Sequence, residues 1–431
     1  MTELKPYPKY KDSGVEWIGE IPEEWEITKL KFLSEIVMGQ SPETRYISDR
    51  KTGFPFLQGN AEFTDVYPES KYYCNKPTKL SIKGDILLSV RAPVGEMNWS
   101  DQMYVIGRGL CAIRAIDNNV PNFLWYLLNY LRIELYSKMT GSTFEAVTLK
   151  DVRELLVMQP CKKTQEEIVA FLNQKTSQID SLIAEKERLI KLLEEKRQAV
   201  ITETVTKGLD PNVKMKDSGI EWIGEIPVHW EVKRIKYLLN EINDRNIDDN
   251  QTLLSLYTDI GVRPRKEMVQ KGNKAQTIQN YKLVQKGDIV VNKLLAWMGS
   301  IGISDYNGVT SPDYDVYRAI DQNKIDSLYY HYYFRNHYFK GDCYKFGRGI
   351  MLMRWRTYPE DFKRIKVLLP PIEEQKMIIN KIHTYSELIL ESKKKVNKQI
   401  QKLKEYRESL IYEAVTGKID VRNYEVEQVK I

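Results

Sequence analysis

Two short stretches carry the residue types of metal-dependent DNA hydrolysis. Ser311-Pro312-Asp313 and Glu360-Asp361-Phe362-Lys363 place one carboxylate after a proline and a second two residues before a lysine. In that spaced arrangement carboxylates hold Mg²⁺ and the lysine polarises the attacking water. Asp313, Asp361 and Lys363 would carry the reaction. Other catalytic signatures are missing: the chain has no GxxxxGK[ST] phosphate loop, no GxGxxG, no GxSxG elbow and no HExxH. Asn-Pro-Pro followed by Tyr or Phe, which amino-methyltransferases carry, is absent too. His229, His331, His337 and His383 are isolated, and Cys74, Cys111, Cys161 and Cys343 form no CxxC pair. The cysteines read as small buried hydrophobes, with neither a disulfide framework nor a metal site.

Basic loops offer different chemistry. Gln40, Ser41, Arg45, Lys51, Arg91, Arg108 and Arg114 lie in turn-rich stretches of the first half of the chain. Arg263, Arg265, Lys266, Lys293, Lys345, Arg348, Arg354 and Arg356 do so in the second. Arginine suits both phosphate contact and two-pronged reading of guanine in the major groove. The aromatic run Tyr329-Tyr330-His331-Tyr332-Tyr333-Phe334 has the rings to stack on bases, but its match in the first half, Leu124-Trp125-Tyr126-Leu127-Leu128, is apolar. That favours a core helix.

Two stretches must position these loops. From Glu166 to Lys207 the chain has no Pro or Gly and repeats apolar residues every three or four positions, which predicts one amphipathic helix of roughly 60 Å. Leu172, Ile179, Lys186, Leu193 and Val200 form its seam, joined by Leu182 and Leu189. A second helix is expected from Glu373 to Thr416, where Ile382, Ile389, Val396, Leu403 and Leu410 follow a strict seven-residue spacing, the mark of a coiled coil. Each stripe wants a partner, and the nearest is the other.

The chain is one unit written twice. Lys11 to Leu33 and Lys216 to Leu238 agree at about 15 of 23 positions. Lys83-Gly84-Asp85-Ile86 matches Lys286-Gly287-Asp288-Ile289, and Pro160, Gln165, Ile168 and Leu172 match Pro370, Gln375, Ile378 and Ile382. Glu203 to Asp210 likewise matches Glu413 to Asp420. A Gly stop followed by Pro at Gly208 to Pro211 ends the first helix at the joint. Such a fused dimer can keep the two-fold symmetry of its ancestor, and antiparallel helices would make it a calliper. The repeat is also an internal control on the nuclease: Asp361 corresponds to Asp151, and no Pro-Asp pair is found in the first copy. An Asp kept at a helix start in both copies reads as a cap.

Length and composition agree with two or three domains. The chain has 431 residues, 42% of them hydrophobic, and a net charge of +6, with a pI near 8.7. That excess is modest for a DNA-binding protein. No apolar run is long enough to span a membrane and the N-terminus lacks a signal-peptide core, so a cytoplasmic protein is expected.

The Trp-Ile-Gly-Glu-Ile-Pro…Trp-Glu motif at 17 to 26 and 222 to 231, the Lys-Gly-Asp turn with Arg91-Ala92-Pro93-Val94-Gly95 after it, and the Pro…Gln…Ile lead-in to each helix resemble the specificity subunit of Type I restriction-modification systems. The likeness covers nearly the whole chain. It implies an α+β protein with two target-recognition domains, each reading one half of a split DNA site. It further implies that two long helices form an antiparallel coiled coil that sets the gap and docks methyltransferase subunits, onto which restriction subunits assemble. No cofactor is implied in this chain; S-adenosylmethionine, ATP and Mg²⁺ belong to the partners. The second copy has Asn292-Lys293-Leu294-Leu295-Ala296-Trp297 in place of the Arg-Ala-Pro-Val-Gly run.

The expected division is residues 1–160 and 213–370 for the two recognition domains, 161–212 for the central helix and 371–431 for the C-terminal helix and tail. The competing readings are the nuclease above and a coiled-coil scaffold that does not touch DNA.

Overall fold

The computed structural model describes residues 5–117, 119–137, 146–247, 250–258, 260–267, 277–351, 355–422 and 424. It divides into two compact units. Residues 1–185 and 398–431 make the first and 186–397 the second.

In the first unit the segment that opens each repeat forms a hairpin, Tyr10–Asp12 against Glu20–Pro22. Strand β1 (Glu26–Lys29) follows, then β2 (Ser34–Met38), β3 (Ile47–Ser48), β4 (Phe54–Leu57), β5 (Tyr72–Cys74), β6 (Leu80–Ser81), β7 (Ile86–Ser89), β8 (Met97–Trp99), β9 (Tyr104–Ile106) and β10 (Leu110–Ala115). One sheet has the order β8-β7-β10-β2 and is antiparallel; the other has the order β3-β5-β4-β9-β6, with β4 and β9 parallel. Strand β7 is buried along its whole length, which explains its unbroken apolar run. The Lys-Gly-Asp turn before it needs its glycine, because Gly84 has φ +91°. Asp85 closes that turn by accepting from the Ile82 N–H at 2.8 Å.

Helix α1 (Pro121–Tyr130) begins on a proline at its first position, where a missing N–H costs nothing. A one-turn helix, α2 (Leu149–Arg153), starts with a capping box. Thr148 accepts from the Asp151 N–H, and the Asp151 carboxylate accepts from the Thr148 N–H. Strand β11 (Leu156–Gln159) pairs with β1 and leads into α3 (Lys162–Lys207). The sequence placed that start at Glu166, four residues late, because Lys162 to Gln165 lack an apolar period. Gln165, almost fully buried, ties the helix to its domain: its side chain accepts from Val120 N–H and donates to the Pro160 carbonyl, both at 2.9 Å.

The second unit follows a similar order with one strand fewer ahead of its helices. It runs β12 (Glu231–Arg234), β13 (Leu239–Ile242), β14 (Leu254–Tyr257), β15 (Gly261–Pro264), β16 (Lys282–Val284), β17 (Ile289–Asn292), β18 (Ile301–Ile303), β19 (Gly308–Thr310) and β20 (Tyr314–Ala319). Then come α4 (Ser327–Arg335), α5 (His337–Phe346), α6 (Pro359–Phe362), β21 (Lys366–Leu369) and α7 (Ile372–Val415). The sheet β13-β20-β17-β18 matches β2-β10-β7-β8. Gln375 repeats the Gln165 tie, accepting from Asp326 N–H at 2.9 Å and donating to the Pro370 carbonyl at 2.8 Å.

The long helices pack in both units. In the first, Phe171, Leu172 and Ile179 of α3 share a core with Leu410, Ile411 and Val415 of α7, and Arg407 pairs with Asp180 at 3.0 Å. In the second, Ile201 and Val205 share a core with Ile378 and Ile382, and Lys393 pairs with Glu194 at 3.1 Å. The start of α3 thus meets the end of α7, and the end of α3 meets the start of α7. Ile382, Ile389, Val396 and Leu410 are buried and Leu403 is partly so. On α3, Leu172 and Ile179 are buried, and Lys186, Leu193 and Val200 half-buried.

Leu182 and Leu189 are a correction, being 45% and 43% exposed. The residues flanking the seam are Thr176, Ile183 and Ile190, four rather than three positions after each seam residue.

Trp25 and Trp230 are core residues, 1% and 0% exposed, each packed where a long helix stops. Tyr329, Tyr330, Tyr333 and Phe334 are fully buried, and the Tyr329 and Tyr330 hydroxyls donate to the Val205 and Leu368 carbonyls at 2.8 Å. The aromatic run is therefore core. Cys74, Cys111 and Cys343 are buried, but Cys161 is exposed, because it stands just before α3 rather than inside an apolar run.

Candidate nucleic-acid interface

In the first unit, three strand ends meet with their backbones in contact. Gly39 and Gln40, after β2, donate to the Leu110 and Ile106 carbonyls, both at 2.9 Å. Between β9 and β10, Gly107 donates to the Leu57 carbonyl at 2.8 Å and Gly109 to that of Gln58 at 3.3 Å. Only glycine permits this. A Cβ on Gly39 would stand 2.1 Å from the Gly107 oxygen, and one on Gly109 would stand 2.8 Å from the Gln58 oxygen. The tight floor leaves Gln40, Gln58 and Arg108 exposed above it, with Ser41 half-buried. The Ser41 hydroxyl accepts from the Arg108 N–H at 3.4 Å. Val90 N–H donates to the Gly109 carbonyl at 2.9 Å, which brings exposed Arg91 alongside.

Four of the sequence candidates are thus gathered in one place, and Gln58 is added. Its signal was present: Leu57-Gln58-Gly59 has the apolar-polar-glycine spelling of a strand ending in a tight turn. Arg45 pairs with Glu43 at 2.8 Å and rides over the Tyr46 ring, and Lys51 is exposed in the loop between β3 and β4. Arg114 is different. Its guanidinium is taken up by Asp85 and Glu35, and those carboxylates, Asp85 foremost, raise its pKa. The structure uses it as an internal strut.

The second unit keeps the four-stranded sheet, has the two-stranded pairs β14-β15 and β16-β19 where the first has its five-stranded sheet, and changes the turn. Between β19 and β20 the place of Gly107-Arg108-Gly109 is taken by Ser311-Pro312-Asp313, whose Pro and Asp are exposed. The similarly spelled Gly347-Arg348-Gly349 follows α5 instead. Arg348 and Arg356 exchange backbone hydrogen bonds, and the Thr357 N–H donates to the Lys293 carbonyl at 3.0 Å. This brings Lys293, Lys345, Arg348 and Arg356 to one side, next to Trp355, which stacks on Tyr344 at 4.9 Å. Lys293 lies 3.3 Å from Asp315, which also binds Lys282 at 2.9 Å. Burial, above all, raises the Asp315 pKa against the pull of both lysines. Arg263 spans Asp305 and the Tyr306 ring. Arg265 is half-buried and its charge acts on the Tyr314 phenol, while Lys266 is exposed. Arg354 lies outside the described residues.

The nuclease residues are not assembled. Asp361 pairs with Arg348 at 3.1 Å, Lys363 with Glu241 at 2.7 Å, and Asp313 sits on the exposed turn. Asp361 does not cap α6 as Asp151 caps α2, because Tyr358 has no side-chain oxygen placed to complete the box. Among the described residues no group of three or more His, Cys, Asp or Glu is placed to hold a metal ion, and no helix is long and apolar enough to cross a membrane.

Comparison with known proteins gives the same organisation. The family model for the Type I restriction modification DNA specificity domain matches twice, over residues 22–192 and 227–402. The type I restriction enzyme MjaX specificity subunit of Methanocaldococcus jannaschii is 39% identical over 178 residues, 40% of this chain and 42% of that protein. The MjaVIII specificity subunit of the same organism is 23% identical over 94% of this chain and 95% of its own.

Among solved structures, the HsdS subunit from Thermoanaerobacter tengcongensis covers 93% of this chain and 98% of its own at 18% identity and a TM-score of 0.54. A chain from a structural study of complex assembly and conformational transition of the type I R-M system covers 93% and 99% at 18% identity, with a TM-score of 0.64. At that identity the likeness concerns the fold. With the family model covering most of the chain in two copies, the protein belongs to the Type I restriction-modification specificity subunits, a non-catalytic family that recognises DNA targets.

Proposed function

We propose that each unit reads one half of a bipartite DNA site and that the paired helices set the gap between the halves. One observation carries this reading: the two copies share the four-stranded sheet, opening hairpin and helix lead-in, yet present Gly107-Arg108-Gly109 in one and Ser311-Pro312-Asp313 in the other at the same turn. A shared scaffold with different strand-end chemistry is what recognition of two different sequences requires. Residues 1–160 and 213–370 are the readers, 161–212 and 371–431 the spacer. On the first reader, Arg108 and Arg91 suit guanine and phosphate, and Gln40 and Gln58 suit the two-pronged amide contact to adenine. On the second, Lys293, Lys345, Arg348 and Arg356 form the corresponding basic side.

Methyltransferase subunits dock on the helices in this proposal. Leu182, Leu189 and Leu192 of α3, and Leu388 and Leu390 of α7, are exposed, and exposed apolar side chains on a helix mark an interaction surface. The cofactors S-adenosylmethionine, ATP and Mg²⁺ belong to those partners and to the restriction subunits.

Single-molecule methylome sequencing tests the proposal in cells expressing the methyltransferase subunits with and without this chain. A new bipartite methylated motif is expected only when the chain is present. A complex that assembles but yields no such motif overturns the reading.

A further inference from the structure

The two copies diverge sharply at one place on their shared scaffold. In the first unit Glu154 accepts from both Lys29 and Lys31, the latter at 2.6 Å, and these lysines hold its carboxyl down to about 2. The counterpart of Glu154 is Arg364, because Asp151-Val152-Arg153-Glu154 aligns with Asp361-Phe362-Lys363-Arg364. Lys29 and Lys31 correspond to Arg234 and Lys236, and Leu156 to Lys366. The acid that neutralised two cations has become a third cation, and an apolar neighbour a fourth.

All four are exposed. Arg234 and Lys366 stand directly opposite each other on the β12–β21 pair, where like charges are destabilising. Arg234, Arg364 and Lys366 line a groove of about 780 Å³ with Lys345, against the rings of Trp222 and Tyr338 stacked at 5.2 Å. The acids there are Glu221, which is exposed, and Asp342, which accepts from the Trp222 indole N–H at 2.8 Å. Neither replaces the missing Glu154.

We infer that this groove binds the sugar-phosphate backbone of DNA beside the bases taken up by the second unit. The inference rests on the proposed DNA-reading role. Lys345 makes the patch continuous with that reader: it lies on α5 just before Arg348. The Arg364 N–H donates to the Asp361 carbonyl, and the Asp361 carboxylate holds Arg348. A protein partner that docks once on each copy would use features the copies share, whereas the first copy has an acid at the centre of this patch. Phosphates ask only for clustered cations, at no sequence cost.

The test uses the full chain assembled with its methyltransferase subunits on a duplex carrying its methylated motif. Binding is measured across a salt series for wild type, Arg364→Glu, and the triple variant Arg234→Gln, Arg364→Gln, Lys366→Gln. Because each phosphate contact adds about 0.9 to the slope of log affinity against log salt, the triple variant is expected to lose about 2 to 3 from that slope. Arg364→Glu, which restores the first copy's own charge arrangement on an exposed site, is expected to bind roughly tenfold more weakly near 0.1 M salt. The motif stays the same. Unchanged affinity and slope in an assembled Arg364→Glu complex overturn the inference, as does a folded variant that no longer assembles, which would assign the patch to an acidic protein. A wild-type complex that methylates no bipartite motif instead sinks the DNA-reading role itself, and the inference with it.

Discussion

Arg114 grips Asp85 with two prongs, Nε to Oδ1 and Nη2 to Oδ2, both at 2.9 Å. In the second unit Arg318 holds Asp288 in the same way, at 2.7 and 2.9 Å. Both carboxylates are 1% exposed, and each also accepts from a backbone N–H of its own Lys-Gly-Asp turn at 2.8 Å. The repeated tripeptide therefore supplies the buried half of an ion pair whose other half, a partly exposed arginine, lies on an inner strand of the sheet.

Removing the cation leaves a buried carboxylate without its partner, which costs roughly 3 kcal/mol. Arg114→Ala is expected to lower the unfolding free energy of the first unit by about that much, and Arg114→Lys by less, because an ammonium keeps the charge and loses the fork. Urea unfolding measures both. The methylated motif should be unchanged at temperatures where the variant stays folded; an altered base preference would return Arg114 to the DNA face.

Gly417 ends α7 in a left-handed turn, φ +71°, with Lys418 N–H reaching back to the Glu413 carbonyl at 2.8 Å, the hydrogen bond of a Schellman stop. A Cβ there would stand 2.5 Å from the ring of Pro22 and 3.2 Å from Trp25. Gly14 has the same φ and nothing within 4 Å. Gly14→Ala should therefore cost only the backbone term, about 1 kcal/mol, and Gly417→Ala a further 1 to 3 kcal/mol for the crowding. Equal losses of thermal stability for the two variants would show that Pro22 and Trp25 do not press on the helix stop.

Much of this scaffold was legible because it rests on local pattern. The seven-residue spacing of α7 gave a buried line, and Gly208 with Pro211 gave the end of α3. The side of α3 that flanks its seam was misjudged, since Leu182 and Leu189 are apolar yet exposed, and burial depends on which face another helix occupies. Gln58 was missed for a related reason. Leu57-Gln58-Gly59 spells only a strand end, and nothing near it in the chain says that Gly107 and Gly109, distant in sequence, lie against it. Arg114 looked like a loop cation because its partner is 29 residues away.

His331 supplies a pH dependence. Burial, aided by the charges of Arg335, Arg263 and His383, holds its imidazole pKa down to about 3, and its Nδ1 accepts from the Ile303 N–H at 3.2 Å. The unfolded chain takes up a proton below about 6.5, and the folded unit does not until about 3. Its contribution to stability is therefore complete above 6.5 and is lost as the pH falls, by about 1.4 kcal/mol per unit. Between pH 6.5 and 5 the second unit should lose about 2 kcal/mol through this residue. His331→Asn can keep an acceptor for Ile303 without titrating, so its urea midpoint should fall less over that interval. Parallel midpoints for the two proteins would remove His331 from the account.

Gln58 and Arg108 stand on one floor, and their chemistry separates base reading from general attraction. An amide presents a donor and an acceptor together, as adenine requires, and a guanidinium presents two donors, as guanine requires. Arg108→Ala is expected to weaken binding by about 1 to 3 kcal/mol and to relax one position in one half of the motif. Gln58→Glu keeps the shape and removes the donor, so it should lose an adenine at its position and favour a base that offers a hydrogen to a carboxylate, as cytosine does through its amino group. Lys51→Ala, removing an exposed charge, should weaken binding evenly across sequences. Methylome sequencing of each variant complex reads all three at once. If Gln58→Glu and Arg108→Ala leave every position of both half-sites as stringent as before, the glycine floor carries backbone contacts alone, and the bases are read by other residues of the first unit.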